Sequence, residues 1–293
     1  MFVERLLQRL IEGAHEGAWA YGYRGRGLDA EATALATLAL TAHERAPRLV
    51  HEGLDRLAAL QASDGGVPIR DDVPNPRWPT SLALLAWARG GEAFAQPRER
   101  AVGYLLRHRG KSFSRTPLFG HDPTLVGWAW VDDTHSWVEP TAWAVAALRA
   151  TGRAAHERVR EGVRVLLDRC LPEGGWNYGN TRVMHHVLRP FPATTGVALV
   201  ALAGEGRGEE VDRSLAYLRE VAPTLRAPLS LGWAVLGLRA WAAAPDEALE
   251  WLERCALEPG RRPPDPTHDA LLLLAAADQA LVADPRREVH DGP

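Results

Sequence analysis

The chain has 293 residues, of which 46% are hydrophobic and 24% are charged. These values are those of ordinary globular domains and exclude disordered, collagen-like and coiled-coil proteins. The formal net charge of −3 provides no basic field, so we expect no nucleic-acid partner.

The first segment, Met1–Glu12, mixes charged residues into an apolar run, which predicts an amphipathic helix and not a signal peptide. No stretch reaches the roughly 20 apolar residues of a spanning helix, so we expect no transmembrane segment. Cys170 and Cys255 lie in segments with helical periodicity and have neither metal-binding nor redox spacing. A reduced, cytoplasmic protein is therefore expected.

Six short alanine-rich segments recur along the chain and predict six copies of one helical unit. Five of them start with proline, which is tolerated at the first helical position, and the first has Ala30 in that place. The six segments are Ala30–Ala34, Pro79–Ala83, Pro140–Ala144, Pro192–Gly196, Pro228–Gly232 and Pro266–Ala270.

Amphipathic helices alternate with these recurring segments. Val159, Val163 and Leu166 recur at helical spacing among charged residues, whereas Thr141–Leu148 is apolar nearly all round. Because each pair of helices can bury its apolar face only against neighbouring pairs, we predict an all-α protein, an (α/α)6 toroid of six helix hairpins. An open solenoid is the alternative, but it would leave the run Leu271–Leu274 without a capping repeat.

One domain is expected to span residues 1–283, with a loop insertion at about 108–136. The last segment, 284–293, is charged and contains proline, so we expect a disordered tail.

Glycine-aromatic turns separate the paired helices, at Gly17–Gly22, Gly65–Val67 and Gly174–Gly179. Gln61 and Cys170 stand four residues ahead of the first glycine of two of these turns. The turns resemble degenerate copies of the Gln-x-x-x-Gly-x-Trp repeat of the prenyltransferase and squalene-cyclase superfamily. The resemblance implies an (α/α)6 barrel whose central apolar cavity holds an isoprenoid chain.

Class II terpene cyclases of this superfamily carry Asp-x-Asp-Asp-Thr-Ala at the start of one inner helix, where the middle aspartate protonates an alkene or epoxide. The resemblance aligns this motif with Trp137–Ala142 and places Glu139 at the acid. Three upstream residues, Asp132, Asp133 and His135, would complete a catalytic cluster if their loop folds back. The alternative is that both aspartates are solvated turn residues.

Asp29 and Asp265 precede the first and last recurring segments, which meet in a closed ring. They are therefore candidates for paired acid–base chemistry or ligand binding, with helix capping as the alternative. Six aromatic residues are the remaining ligand-binding candidates: Trp128, Trp130, Trp137, Trp143, Trp176 and Tyr178. Those of the insertion either cover the cavity or pack within a surface loop.

The superfamily's protein prenyltransferases bind zinc through Asp, Cys and His at inner-helix starts, but neither cysteine here occupies such a place. We therefore expect no resident metal or cofactor, with Mg²⁺ entering only alongside a diphosphate substrate.

Three functional hypotheses follow. The first is a protein that binds a hydrophobic isoprenoid, either as a terpene cyclase that uses Glu139 or as a prenyltransferase-like enzyme. Because squalene and diterpene cyclases of the second class pair two helical domains, a single toroid implies a homodimer, a partner helical subunit or a different reaction. The second is a non-catalytic lipid carrier or scaffold with a degenerate acid motif. The third is an (α/α)6 carbohydrate-active enzyme, which a polar, tryptophan-lined open cleft favours and a deep apolar cavity excludes.

Overall fold

The computed structural model describes residues 1–23, 27–116, 120–258, 263–278 and 281. Over these residues the chain forms twelve α-helices and one short β-hairpin. The helices are α1 (Phe2–Glu12), α2 (Ala30–Ala42), α3 (Pro47–Leu60), α4 (Thr80–Arg89), α5 (Ala95–Arg107), α6 (Val138–Ala150), α7 (Glu157–Asp168), α8 (Pro192–Leu202), α9 (Glu209–Val221), α10 (Pro228–Ala240), α11 (Ala248–Leu257) and α12 (Pro266–Ala276).

The hairpin pairs β1 (Arg182–Val183) with β2 (His186–Val187), and Val183 lies opposite His186. Short 3₁₀ turns occupy Tyr21–Tyr23, Glu92–Phe94 and Ala222–Thr224. The predicted disordered tail, residues 284–293, lies outside the described residues. None of the described helices is long and apolar enough to cross a membrane.

The even-numbered helices form a closed inner ring, in which each packs on the next and α12 packs on α2. The odd-numbered helices form the outer layer, each against the inner helix that precedes it in the chain. α1 has no preceding helix and packs on α12, so that the two ends of the chain complete one hairpin. The predicted all-α toroid of six helix pairs is confirmed.

A threonine hydroxyl near the start of four inner helices holds the preceding turn. Thr33 and Thr141 accept hydrogen bonds from the backbone N–H groups of Trp19 (3.1 Å) and Trp128 (3.0 Å). Two further pairs follow the same pattern: Thr80 with Val67 and Thr195 with Trp176. These threonines define the structural register of the repeats.

This register corrects the proline-based alignment by two residues. Pro140 is the third residue of α6, whereas Pro192 is the first residue of α8. Both places suit proline because the first-turn N–H groups of a helix have no intrahelical partner. Glu31, two residues before Thr33, is therefore the structural counterpart of Glu139, and Asp29 is the counterpart of Trp137.

Candidate functional site

The partly exposed side chains of the inner ring lie at the two ends of its helices, and Glu31 and Glu139 lie at the N-terminal ends. We call the first turns of the six inner helices, with the loops that precede them, the rim. Backbone hydrogen bonds join neighbouring rim loops, from Ala30 to Ile69 (2.9 Å) and from Val138 to Tyr178 (3.0 Å). The rim is thus a continuous surface at one end of the toroid.

Below the rim the toroid is filled. In the described inner helices every residue from the second turn to near the C-terminal end is buried, and Trp143, at 7% exposure, is among the most exposed. Side chains lining a cavity wide enough for a long chain would be more exposed than this. The central apolar cavity expected from the resemblance is therefore not found among the described residues, and a ligand would have to lie at the rim.

Glu139 stands in the first turn of α6, and its side chain faces the start of α8. Thr194 donates a hydrogen bond from Oγ1 to Glu139 Oε1, at 2.7 Å. Burial raises the pKa of the Glu139 carboxyl, and the hydroxyl of Thr194 opposes this increase in part. Glu139 therefore holds a proton more tightly than an exposed glutamate does.

Glu31 occupies the same place on α2, and the sequence comparison of repeats missed it. The Tyr21 hydroxyl donates a hydrogen bond to the Glu31 carboxylate. Burial raises the pKa of Glu31, the Tyr21 hydrogen bond lowers it in part, and the charges of three carboxylates raise it further: Asp265, Glu139 and Asp29. The shared pattern Glu-x-Thr, at Glu31–Thr33 and Glu139–Thr141, was the signal that would have revealed it.

Ring closure brings Asp29 and Asp265 to the same turn. Asp29 Oδ2 accepts the backbone N–H of Tyr21 at 2.9 Å, and Asp265 Oδ2 accepts that of Gly22 at 2.7 Å. Asp265 also caps α12 through the N–H of Thr267 at 2.9 Å. Asp265 therefore caps its helix, as the capping alternative predicts, whereas Asp29 makes no side-chain capping hydrogen bond to α2. Both aspartates hold the turn at the junction between the first and last repeats, which leaves Glu31 and Glu139 as the candidate acids.

Three tryptophans form a cluster beside Glu139, which we call the tryptophan trio: Trp78, Trp130 and Trp143. The ring centroids lie 5.1 Å apart for Trp78 and Trp130, 5.2 Å for Trp78 and Trp143, and 5.3 Å for Trp130 and Trp143. Trp143 follows Glu139 by four residues on α6 and thus lies on the same helix face. Its buried Nε1 atom has no hydrogen-bond acceptor.

Trp78 was not a candidate in the sequence, because the residue before Pro79 carried no motif. In the structural register it corresponds to Glu31 and Glu139, but it lies in the turn that precedes α4. The rim therefore presents an acid, an indole and a second acid at the starts of three successive inner helices.

The structure separates Asp132 and Asp133 from Glu139. Their side chains are 64% and 89% exposed, and they lie near His108 (3.3 Å) and Lys111 (3.8 Å). The loop does not fold back over the acid, so the solvated-turn alternative describes them and we leave them out of the candidate site.

His135 lies at the rim but contacts aromatic rings instead of carboxylates. Its ring centroid is 4.3 Å from that of Trp137 and 6.5 Å from that of Phe113. Burial, together with the charge of Arg169, lowers the pKa of His135. A neutral imidazole packed on Trp137 positions the start of α6, where Trp137 is the N-cap residue.

Trp128 and Trp176 lie between the two helical layers. Their indole N–H groups donate to outer-helix carbonyls, of Leu105 at 2.9 Å and Leu166 at 2.7 Å. Both are buried, so packing accounts for them and they are not retained as ligand-binding candidates. Tyr178, by contrast, is exposed at the rim and packs on Phe191 with ring centroids 5.0 Å apart.

Among the described residues no three His, Cys, Asp or Glu side chains converge as metal ligands. The entry of Mg²⁺ with a diphosphate substrate, and the expectations of a homodimer or partner subunit, remain predictions.

Comparison with known proteins identifies the fold of the chain. No family model matches the sequence, and no curated protein matches it. An α-amylase from Clostridium perfringens superposes with a TM-score of 0.67 at 10% sequence identity, over 94% of this chain and 97% of the other. A variant of the type II terpene cyclase MstE from Scytonema, in complex with geranylgeranyl dihydroxybenzoate, gives 0.60 at 14% identity, over 94% and 97%.

The ent-copalyl diphosphate synthase from Streptomyces platensis superposes with a TM-score of 0.53 at 20% identity, over 84% of this chain and 50% of the synthase. The chain therefore has the α/α toroid fold found in class II terpene cyclases, and the same fold occurs in the α-amylase. At these identities the likeness establishes architecture, and function has to be argued from the rim.

Proposed function

We propose that the rim binds the reactive end of a hydrophobic isoprenoid against the tryptophan trio, and that Glu139 donates a proton to it. The observation that carries this proposal is the position of a half-buried carboxyl with a raised pKa one helical turn from Trp143, whose indole packs on those of Trp78 and Trp130. The likeness to terpene cyclases supports the class of ligand.

The two parts of the site have complementary roles in acid-initiated chemistry. A protonated carboxyl can transfer its proton only to a group that comes within hydrogen-bond reach. The positive charge that then develops on carbon is stabilised by the faces of aromatic rings, of which tryptophan is the most effective. The negative charge of Glu139 raises the pKa of Glu31, so the two carboxyls of the rim interact.

The acid strength limits the substrate. A carboxyl whose pKa is raised is a weaker acid than an exposed one, so an unactivated alkene is a poor acceptor for its proton. An isoprenoid with a basic oxygen at its end, such as a terminal epoxide, fits the chemistry better. Since the toroid is filled below the rim, the remainder of the chain would lie across the rim surface.

The test is incubation of the purified chain with farnesyl diphosphate, squalene and squalene epoxide, followed by mass spectrometry of bound ligand and products. A cyclised or opened product that disappears in Glu139→Gln but persists in Glu250→Gln supports the proposal; Glu250 is an exposed glutamate on α11. Bound but unchanged isoprenoid would overturn catalysis and favour a carrier. Absence of binding would overturn the isoprenoid proposal.

A carbohydrate-active enzyme is the second candidate, because the open position of the acids at the rim suits a chain of sugars better than a buried site does. A pair of interacting carboxyls, as Glu31 and Glu139 form, is also what glycoside hydrolysis uses, and the α-amylase shares the fold. Release of reducing sugar from soluble starch, lost in Glu139→Gln, would favour this function over the first.

A further inference from the structure

The segment between α7 and α8 carries an unusual density of exposed apolar side chains. We call residues 181–191 the rim hairpin. Met184, at its tip, is 84% exposed, and Val183, Val187 and Phe191 are also exposed. Isolated exposed apolar residues are ordinary on protein surfaces, but four within nine residues form a concentrated patch.

The two residues at the tip of the hairpin have an unfavourable backbone conformation. Met184 and His185 have φ values of +47° and +68° and connect β1 to β2 as a two-residue turn. Such turns favour Asn-Gly, because positive φ strains residues that carry a larger side chain. Met184 is therefore both strained and exposed, and its side chain contributes little to the packing of the fold.

The charge of the hairpin is of one sign. Arg182 and Arg189 flank the apolar residues, His185 and His186 lie between them, and no acidic residue occurs from 174 to 204. An apolar tip bordered by arginines is complementary to a surface with anionic groups outside and hydrocarbon beneath.

The hairpin is anchored to the rim at its base. Leu188 donates a backbone hydrogen bond to Thr181 at 3.0 Å, and Phe191 donates one to Trp176 at 2.8 Å. The Thr181 hydroxyl donates to the carbonyl of Gly120 in the insertion, at 2.7 Å. The hairpin therefore emerges between the insertion and α8, the helix that carries Thr194 beside Glu139.

We propose that the rim hairpin docks the protein on the surface of an anionic phospholipid bilayer, with Met184 and Val187 in the acyl boundary and the arginines at the phosphates. The patch is small and interrupted by cationic side chains, which suits insertion into a lipid interface better than a flat protein interface. Docking would set the rim against the membrane, where hydrophobic molecules reside.

The test is co-sedimentation with vesicles of phosphatidylcholine alone and of phosphatidylcholine with phosphatidylglycerol, without added isoprenoid. We expect binding to the anionic vesicles. Met184→Glu should weaken this binding at least about tenfold, because a charge replaces the apolar side chain that enters the acyl boundary. Leu249→Glu, at an exposed leucine of α11, is the matched control and should bind normally. Arg182→Gln should weaken binding to anionic vesicles about fivefold.

Three results would overturn the proposal: no binding to either vesicle, equal binding of the Met184 and Leu249 variants, or a dimer in light scattering that Met184→Glu disperses. The last result would assign the patch to a contact between copies of the chain. Since no isoprenoid is present, failure of docking leaves the proposed function of the rim separately testable.

Discussion

At the scale of single residues, the rim holds two glutamates in surroundings that disfavour their charge. Glu31 and Glu139 are each half-buried, and the pKa of each is raised above the ordinary value of 4.5. Well below pH 4.5 both are protonated in the folded and the unfolded chain, so they do not change the free energy of unfolding. As the pH rises, the unfolded chain ionises first, and the folded state loses relative stability until its own glutamates ionise.

Glu139→Gln should therefore stabilise the protein at neutral and alkaline pH. The amide keeps the shape of the protonated carboxyl and removes the cost of burying its charge, so the melting temperature should rise by about 2 °C or more at pH 8. The increase in melting temperature should disappear as the pH falls well below 4.5. Calorimetric melting of both proteins from pH 4 to 8 checks this, and a destabilised variant at pH 8 would contradict the assigned burial.

Thr194→Val should raise the pKa of Glu139 further. The Thr194 hydroxyl hydrogen bond, at 2.7 Å, stabilises the ionised carboxylate and lowers its pKa. Valine has nearly the same shape and cannot donate. The measurement is titration of the Glu139 carboxyl carbon by NMR, with Thr224→Val, at an exposed threonine, as the control that leaves the titration unchanged. An unchanged pKa in Thr194→Val would mean that the hydrogen bond is absent in solution.

At the scale of elements, three of the repeats are held by one threonine and one tryptophan: Thr33 with Trp19, Thr141 with Trp128, and Thr195 with Trp176. The threonine hydroxyl of the inner helix accepts from the turn, and the indole of the turn donates to the outer helix. The two contacts link three elements that are distant in sequence. The second repeat has Val67 in place of the tryptophan and keeps only the threonine contact.

Thr141→Val should lower the free energy of unfolding by about 1–3 kcal/mol, because it leaves the buried N–H of Trp128 without an acceptor. Thr224→Val removes an exposed hydroxyl that bonds only the carbonyl of Val221, so its cost should be near zero. Urea unfolding of the two variants measures the difference, and equal midpoints would argue against the threonine's role in the turn.

At the scale of the whole molecule, the ring is closed by polar contacts between α1 and α12. Arg9 donates from Nε and Nη2 to the two carboxylate oxygens of Asp269, each at 2.5 Å, and the Tyr23 hydroxyl donates to Asp269 at 2.8 Å. The Asp269 side chain is fully buried. Residues from opposite ends of the chain thus hold the toroid shut.

Arg9→Gln should destabilise the protein by about 3 kcal/mol, since it removes the guanidinium that pairs with the buried Asp269 carboxylate. Arg5→Gln is the control, because Arg5 is exposed on the same helix and should cost less than about 0.5 kcal/mol. Guanidinium unfolding of both variants gives the comparison. If the two midpoints coincide, the ion pair does not hold the ring in solution.

Much of the architecture could be predicted from the sequence because helical periodicity is a local property. The alternation of amphipathic and wholly apolar segments requires two layers, and six copies favour a closed ring. The proximity of Asp29 and Asp265 was also predicted from the sequence, because ring closure brings the first and last repeats together. The function and site residues of such a fold do not follow in the same way, because they depend on side-chain positions.

The candidate site was predicted only in part, for reasons that are specific to its residues. Glu139 was found through the resemblance, but Glu31 was missed because proline occupies different positions in the first turn of different helices. Asp132 and Asp133 looked like an acidic cluster, and the loop that carries them turns toward solvent. Trp78 was recognised as a candidate only in the tertiary structure, where its indole packs on those of Trp130 and Trp143.

By itself the sequence determined that the helices form two layers, and it favoured their closure into a ring. The reason is that the spacing of apolar residues along a helix determines which of its faces must be buried. Only the tertiary structure decided that the described inner helices are buried below the rim and that the candidate acids lie at the rim. It also decided which candidate acids are partly buried and which are solvated. The physical reason is that packing volume and carboxyl burial depend on contacts between residues far apart in the chain, which no local pattern records.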